Sequence, residues 1–247
     1  MKKKLISAII PCYNEGRIIA RSINAVEKEL CSLHRPFELL IVDDGSTDAT
    51  LQTLRKMIGS RKHHNLRFVS YKDGPSRREN LSKSFKLLNG DCILLLDMDL
   101  SMDLRHLKEM LYWLDHGYDI VIPNRYHPKS YIKRNPKRYV ISKVYNALIR
   151  LFFRTGLKDN ICGFKAFKRD AAVKLVKQAG IDKTGMRSVF WDTEMLIRAL
   201  RQGIKIKDIP IHWEDGKNSA LTFKREIRML PYIVKFWFRV HKNRNLP

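Results

Sequence analysis

The sequence predicts an α/β fold: a Rossmann-like, mainly parallel central sheet with helices on both faces, followed by a basic helical tail. Three observations predict it. Short apolar runs alternate with helical segments through the first half, the signature of βαβ units. The runs are apolar throughout, as in parallel strands covered on both faces. Hydrophobic residues make up 44% and charged residues 30% of the 247, enough for a large core and unlike a disordered, collagenous or disulfide-stapled chain.

The elements follow in order. Leu5–Ile10 reads as a strand, and residues 15–32 as a helix with apolar positions at Ile18, Ile19, Ile23, Val26 and Leu30. Phe37–Val42 is the second strand, and Asp48–Ile58 a helix that Asp48 would cap. Leu66–Ser70, a helix over 79–89, Cys92–Leu96, a helix over Asp103–Leu114 and a strand over Asp119–Ile122 complete the first half. The second half is less regular. A basic loop over 128–139 precedes a helix over Tyr139–Phe153, a strand over Gly163–Phe167 and helices over 170–179 and 192–202. A strand over Ile204–Ile211 and a helix over 222–242, interrupted by Pro231, close the chain. We divide it into a domain of residues 1–221 and an amphipathic basic segment of residues 222–247.

Charge is unevenly spread. Lys and Arg number 48 against 25 Asp and Glu, a net charge of +23. Residues 1–120 hold 19 basic and 16 acidic residues, and residues 121–247 hold 29 and 9. The second half is therefore expected to face an anion: nucleic acid, anionic lipid or a phosphorylated substrate. No run of about 18 apolar residues exists, so no membrane-spanning helix is expected. The start, Met1 to Lys4, reads as the basic edge of a buried strand. Cys12, Cys31, Cys92 and Cys162 have no zinc or redox spacing and are expected to be reduced, buried thiols in a cytosolic protein.

Ligands on such sheets bind beyond the carboxyl ends of the strands. Three strand ends carry polar and acidic residues: Pro11-Cys12-Tyr13-Asn14-Glu15, Asp43-Asp44-Gly45-Ser46-Thr47-Asp48 and Asp97-Met98-Asp99. If extended geometry persists, Asp97 and Asp99 project to one side and repel unless a cation lies between them. Mg²⁺ or Mn²⁺ accepts one or two carboxylates and completes its shell with water and phosphate oxygens. The alternative is a polar loop or helix cap. Asp43 and Asp44 offer acceptors for base or ribose donors, or simply build a turn and cap. No G-x-G-x-x-G follows a strand, and neither a P-loop nor a G-x-S-x-G elbow occurs.

Taken together these residues resemble family 2 glycosyltransferases of the GT-A fold, and among them the polyprenyl-phosphate sugar synthases such as dolichyl-phosphate mannose or glucose synthases. The resemblance covers about residues 5–220. It rests on Ile10-Pro11-x-Tyr13-Asn14-Glu15, Val42-Asp43-Asp44-Gly45-Ser46-x-Asp48, Leu96-Asp97-Met98-Asp99-Leu100, Cys162-Gly163-Phe164-Lys165 and Trp191-Asp192-x-Glu194. It implies that Pro11, Tyr13, Glu15, Asp43 and Asp44 contact the nucleotide of a UDP- or GDP-sugar. It implies that Asp97 and Asp99 hold the metal and donor diphosphate. Arg125, Arg138 and Ser142 would hold an acceptor phosphate. Three departures stand out: Asp-Gly-Pro-Ser-Arg-Arg at 73–78 replaces a glycine-richer segment, Ser101 replaces a Gln, and Pro123-Asn124-Arg125 replaces Gly-Ser-Arg.

The implied reaction is metal-dependent, inverting transfer of one sugar to polyprenyl phosphate. A phosphate monoester is already anionic near pH 7, its second pKa being about 6, and needs no general base. Arginines suit it, and Arg125, Lys133, Arg134, Lys137 and Arg138 supply cations. Asp192 and Glu194 are candidate catalytic carboxylates, either orienting an arginine or the donor sugar, or serving as base if the acceptor is a glycan or protein hydroxyl. Their alternative is an acidic helix start. On a helical wheel Lys224, Arg228, Lys235, Arg239 and Lys242 fall within about a 60° stripe beside Phe223, Ile227, Leu230, Ile233, Val234, Phe236, Trp237 and Phe238. That suits the interface of an anionic membrane, or else a helix packed on the domain. A transmembrane partner protein is the other way to reach a bilayer acceptor. The expected location is the cytoplasmic face of a membrane. A nucleic-acid-binding protein is the remote alternative, without a helix-turn-helix, zinc or RRM signature.

Overall fold

A computed structural model of the chain describes residues 3–60, 62–76, 78–215 and 223–242, with only the backbone of 223–227. The Arg77 side of the 73–78 segment, and the side chains of Phe223, Lys224 and Ile227, lie outside the described residues.

The first half folds as its periodicity predicts: β1 (Ile6–Cys12), α1 (Ile19–Ser32), β2 (Phe37–Asp43), α2 (Thr50–Ile58), β3 (Leu66–Ser70), α3 (Glu79–Ser84), β4 (Cys92–Leu95), α4 (His106–Asp115) and β5 (Ile120–Pro123). The second half adds β6 (Tyr131–Lys133), α5 (Pro136–Phe153), β7 (Lys165–Lys168), α6 (Arg169–Ala179), α7 (Phe190–Arg201), β8 (Ile206–Ile209), β9 (His212–Glu214) and α8 (Phe223–Lys242).

Seven strands form the main sheet in the order β3-β2-β1-β4-β7-β5-β8. β7 runs antiparallel to both neighbours and the other pairs are parallel. Alternation along the strands splits the core in two. Ile6, Ala8, Ile10 and Leu94 face a layer built with α1, α2 and α4, while Ile9, Ile93 and Leu95 face α3, α6 and α7.

Two strands were not legible. β6 lies in the basic loop, and β9 continues the run expected as a single strand, which breaks at Pro210. The two pair in parallel as a small second sheet, Ile132 opposite Trp213. A third core cluster joins Ile149 of α5, Phe190 and Ile197 of α7, and Met229, Phe236 and Val240 of α8. The C-terminal helix is thus packed on the domain along one face. Cys12, Cys92 and Cys162 are buried and free, but Cys31 is exposed on α1, contrary to expectation.

Candidate functional site

The loops after β1 and β2 are tied together. Asn14 has a positive φ of 56°, which lets its side-chain oxygen accept from the Thr47 amide at 2.8 Å while its own amide donates to Ser46 Oγ at 2.9 Å. Asp48 accepts from the amides of Gly16 and Thr50 at 3.0 and 2.9 Å, so it holds the start of α2 and braces the β1 loop. Asp43 is fully buried, accepting from Ser70 Oγ at 2.7 Å and the Ser46 amide at 3.2 Å. Asp44 is also buried and accepts from Asn80 Nδ2 at 2.7 Å and Ser76 Oγ at 2.8 Å. These carboxylates therefore build the loop. Pro11 is the penultimate residue of β1, opposite Val42, and Tyr13 is exposed at this end. Burial raises the Glu15 pKa, and the nearby charges of Asp99 and Asp48 add to it.

The third strand end departs from the expected geometry. β4 stops at Leu95, and Asp97 and Asp99 lie in a turn closed by the Leu100 amide on the Asp97 carbonyl at 3.2 Å, with Leu100 at φ 50°. The two carboxylates are neighbours through this turn rather than by strand alternation. Ser101 donates to Asp99 from its hydroxyl at 2.8 Å and its amide at 3.2 Å. Gly163 abuts Asp97: a Cβ there would lie 2.0 Å from Oδ2. Burial raises the Asp97 pKa. Arg78 opposes that, and the charges of Asp99 and Asp192 reinforce it.

Beneath this turn is a buried ionic network. Arg78 donates from Nε to Asp192 at 2.8 Å and reaches Asp97 with Nη2 at 3.5 Å. Lys165, 1% exposed, donates to the other oxygen of Asp192 at 2.8 Å and to the Cys162 carbonyl. Asp192 is thus buried, with one oxygen on Arg78 and the other on Lys165. Glu194 lies away from this network. It is fully buried and held by Arg198 at 2.8 Å, Tyr232 at 2.8 Å and Arg187 at 3.5 Å, in the layer under α8. Two residues along a helix turn by about 200°, so Asp192 and Glu194 face opposite sides of α7.

Arg125 is paired inside the domain. Its fork is closed on Asp159, Nε to Oδ2 at 2.7 Å and Nη2 to Oδ1 at 2.8 Å, and its guanidinium lies 4.9 Å from the Trp213 ring. Ser142 and Arg138, by contrast, are brought to one cluster on α5. Ser142 Oγ accepts from Arg134 Nη1 at 2.8 Å and lies 2.6 Å from the Tyr126 hydroxyl. Arg134 and Arg138 both approach Asp215, at 3.3 and 3.7 Å. Tyr126 and Tyr139 line an adjoining cavity of about 490 Å³, with Lys143, Arg150 and Lys158 around it.

α5 presents an apolar stripe to the surface. Val140, Ile141, Val144, Leu148, Leu151 and Phe152 of α5 are all exposed, Leu151 by 72%, within an arc of about 120°. On α8, Leu230, Val234 and Phe238 are exposed beside the exposed basic row Arg228, Lys235, Arg239 and Lys242, and opposite the buried Met229, Phe236 and Val240. Trp237 Nε1 donates to the Phe152 carbonyl at 3.0 Å, joining the two helices. Among the described residues no helix is long and apolar enough to cross a membrane, and no group of three or more His, Cys, Asp or Glu stands ready for a metal.

Sequence reasoning missed Arg78, Lys165 and Gly163 as supports of Asp97. The last two lie in the quoted Cys162–Lys165 motif, which was the available signal. Asp159 and Asp215 carried none.

Comparison with known proteins bears on this geometry. The model of the family described as Glycosyl transferase family 2 matches residues 7–176. Glycosyltransferase AglD of Haloferax volcanii is 33% identical over 239 residues, which cover 95% of this chain and 37% of that protein. The dolichyl-phosphate beta-glucosyltransferase of Saccharomyces cerevisiae is 28% identical over 237 residues, 88% of this chain and 70% of that one. Among solved structures, the mannosyltransferase PcManGT of Pyrobaculum calidifontis, in complex with GDP-Man and Mn²⁺, superposes with a TM-score of 0.63 at 19% identity, covering all of this chain and 66% of its own. This likeness carries the GT-A fold.

Proposed function

The chain belongs to glycosyl transferase family 2, and on that premise we propose that it transfers one sugar from a UDP- or GDP-linked donor to a polyprenyl phosphate such as dolichyl phosphate, at a membrane surface. The observation that carries the acceptor half is α5. One helix holds Ser142 and Arg138 in a cationic cluster and presents an exposed apolar stripe. Those are the two chemistries of a lipid phosphate, a charged head and a hydrocarbon chain. The name of the yeast relative supports the same reading.

Asp97 and Asp99 suit Mg²⁺ or Mn²⁺. They offer hard oxygens at a strand end, Gly163 leaves room at Asp97, and the raised Asp97 pKa reflects burial beside other carboxylates that a cation would relieve. When bound, such an ion supplies neutralisation of the leaving diphosphate. Arg78 and Lys165, through Asp192, hold the Asp97 side of the site in place. The acceptor phosphate is its own nucleophile, which fits the pairing of Asp192 and Glu194 with cations and favours this acceptor over a sugar or protein hydroxyl. Direct displacement with inversion is the course the family resemblance implies.

The exposed apolar arcs of α5 and α8, with the basic row of α8, would seat the protein peripherally on an anionic membrane. The proposed location is the cytoplasmic face, where a transmembrane partner is the alternative anchor.

The test is transfer of labelled sugar into organic-extractable lipid, using polyprenyl phosphate and a panel of UDP- and GDP-sugars with Mn²⁺ or Mg²⁺, and Asp99→Asn alongside. One donor labelling lipid with the wild type and not the variant is the expected result. Nucleotide binding without any lipid labelling would overturn the acceptor and send the search to hydroxyl acceptors.

A further inference from the structure

We propose that Arg134 is a ligand of the acceptor's phosphate, and that the Asp215 carboxylate occupies that phosphate's position in the ligand-free protein. This rests on the polyprenyl-phosphate reading above and names a residue of that same site.

Arg134 stands between β6 and α5 with its side chain 5% exposed. Its Nη1 is used by Ser142 at 2.8 Å, but its buried Nε makes no hydrogen bond. The anion facing it is Asp215, whose Oδ1 lies 3.3 Å from that Nε and whose Oδ2 lies 3.7 Å from Arg138 Nη1. Oδ2 is buried and also makes no hydrogen bond. Charge-assisted N–H···O bonds close to about 2.7–2.9 Å, as those between Arg125 and Asp159 do. The carboxylate therefore bridges two guanidinium groups without engaging either fully. The same Oδ1 accepts from Trp213 Nε1 at 2.9 Å, and the Asp215 amide donates to the Lys133 carbonyl at 3.0 Å.

A phosphate monoester brings three oxygens where the carboxylate has two, and can serve both arginines and the Ser142 hydroxyl at once. Ser142 also contacts Tyr126, which lines the neighbouring cavity. Burial and the adjacent Arg125 both disfavour the charge on Arg134, a cost that a second anionic charge would offset. Arg125 cannot take this place while Asp159 closes its fork.

The experiment titrates the full chain with farnesyl monophosphate by calorimetry, with farnesol as the phosphate-free control, and measures UDP and GDP binding with Mn²⁺ in parallel. Arg134→Gln should bind farnesyl phosphate about tenfold or more weakly, and Arg134→Lys should recover part of the loss. Asp215→Asn should bind it about threefold more tightly, since a competing anion is gone. Nucleotide binding should hold in all three, which shows that the site at the other strand ends is intact. Wild-type affinity in Arg134→Gln, or a loss in Asp215→Asn that parallels it, overturns the proposal and leaves both residues as ties between β9 and α5. A difference that persists with farnesol overturns it as well. If the wild type binds nucleotide but no farnesyl phosphate, the acceptor reading itself fails and this inference falls with it.

Discussion

Gly163 makes room for the Asp97 carboxylate. A Cβ at position 163 would lie 2.0 Å from Oδ2 and 2.4 Å from Oδ1, well inside van der Waals contact. The strand end that carries Asp97 and the turn before β7 are therefore fitted to each other at one atom. Gly163→Ala should displace the carboxylate and lower Mn²⁺ affinity, read by electron paramagnetic resonance, by about tenfold or more. Unchanged Mn²⁺ binding would remove Asp97 from the metal site.

Asp192 bridges Arg78 and Lys165. Asp192→Asn keeps its shape but leaves two buried cations with one fewer anion. We expect turnover to fall between about tenfold and a hundredfold, and the shape of the pH–rate profile to persist. A general base would behave differently, with near-complete loss and disappearance of a limb of that profile.

Glu194 is expected to act on stability. Glu194→Gln removes the fully buried charge that Arg198 holds at 2.8 Å and Arg187 approaches at 3.5 Å, while Arg187 keeps its pair with Glu79, and breaking a buried pair costs about 3–5 kcal/mol. Urea denaturation should register that loss while turnover per folded molecule stays close to wild type. Abolished turnover at full stability would return Glu194 to the chemistry.

Asp159 has its pKa held below the usual carboxylate range. Burial opposes this, but the Arg125 charge and its hydrogen bonds prevail. A depressed native pKa means stability present above the unfolded value near 4 and lost as pH falls through the native one. Thermal midpoints of the wild type should therefore drop as the pH is lowered below about 4. Asp159→Asn should start lower at pH 7 and lose less on acidification. Parallel curves would show that the pair contributes nothing to acid stability.

The α5–α8 surface predicts vesicle binding. Leu151→Glu and Phe238→Glu change exposed positions, so melting should be unaffected. Co-sedimentation with anionic vesicles should weaken by about tenfold for each, because burying such a side chain is worth about 1.5–3 kcal/mol. Added salt should weaken wild-type binding through the basic row of α8. Equal sedimentation of the variants would point instead to a protein anchor.

The amino-acid sequence by itself determined the alternating βαβ order, the three polar strand ends and the amphipathic final helix, since these depend on local periodicity. Arg138 and Ser142 are paired by the family resemblance alone; that they share one helix face follows from α5 starting at Pro136, three residues before the expected Tyr139. Tertiary structure alone decided the rest. β7 inserts antiparallel between β4 and β5 and carries Lys165 beneath Asp97, a neighbour more than sixty residues away. Asp159 closes Arg125, which the motif had left open to a phosphate, and Arg187 with Tyr232 encloses Glu194. Charged groups choose partners by proximity in space and by the cost of burying them alone. Neither quantity is written in the spacing of residues along the chain.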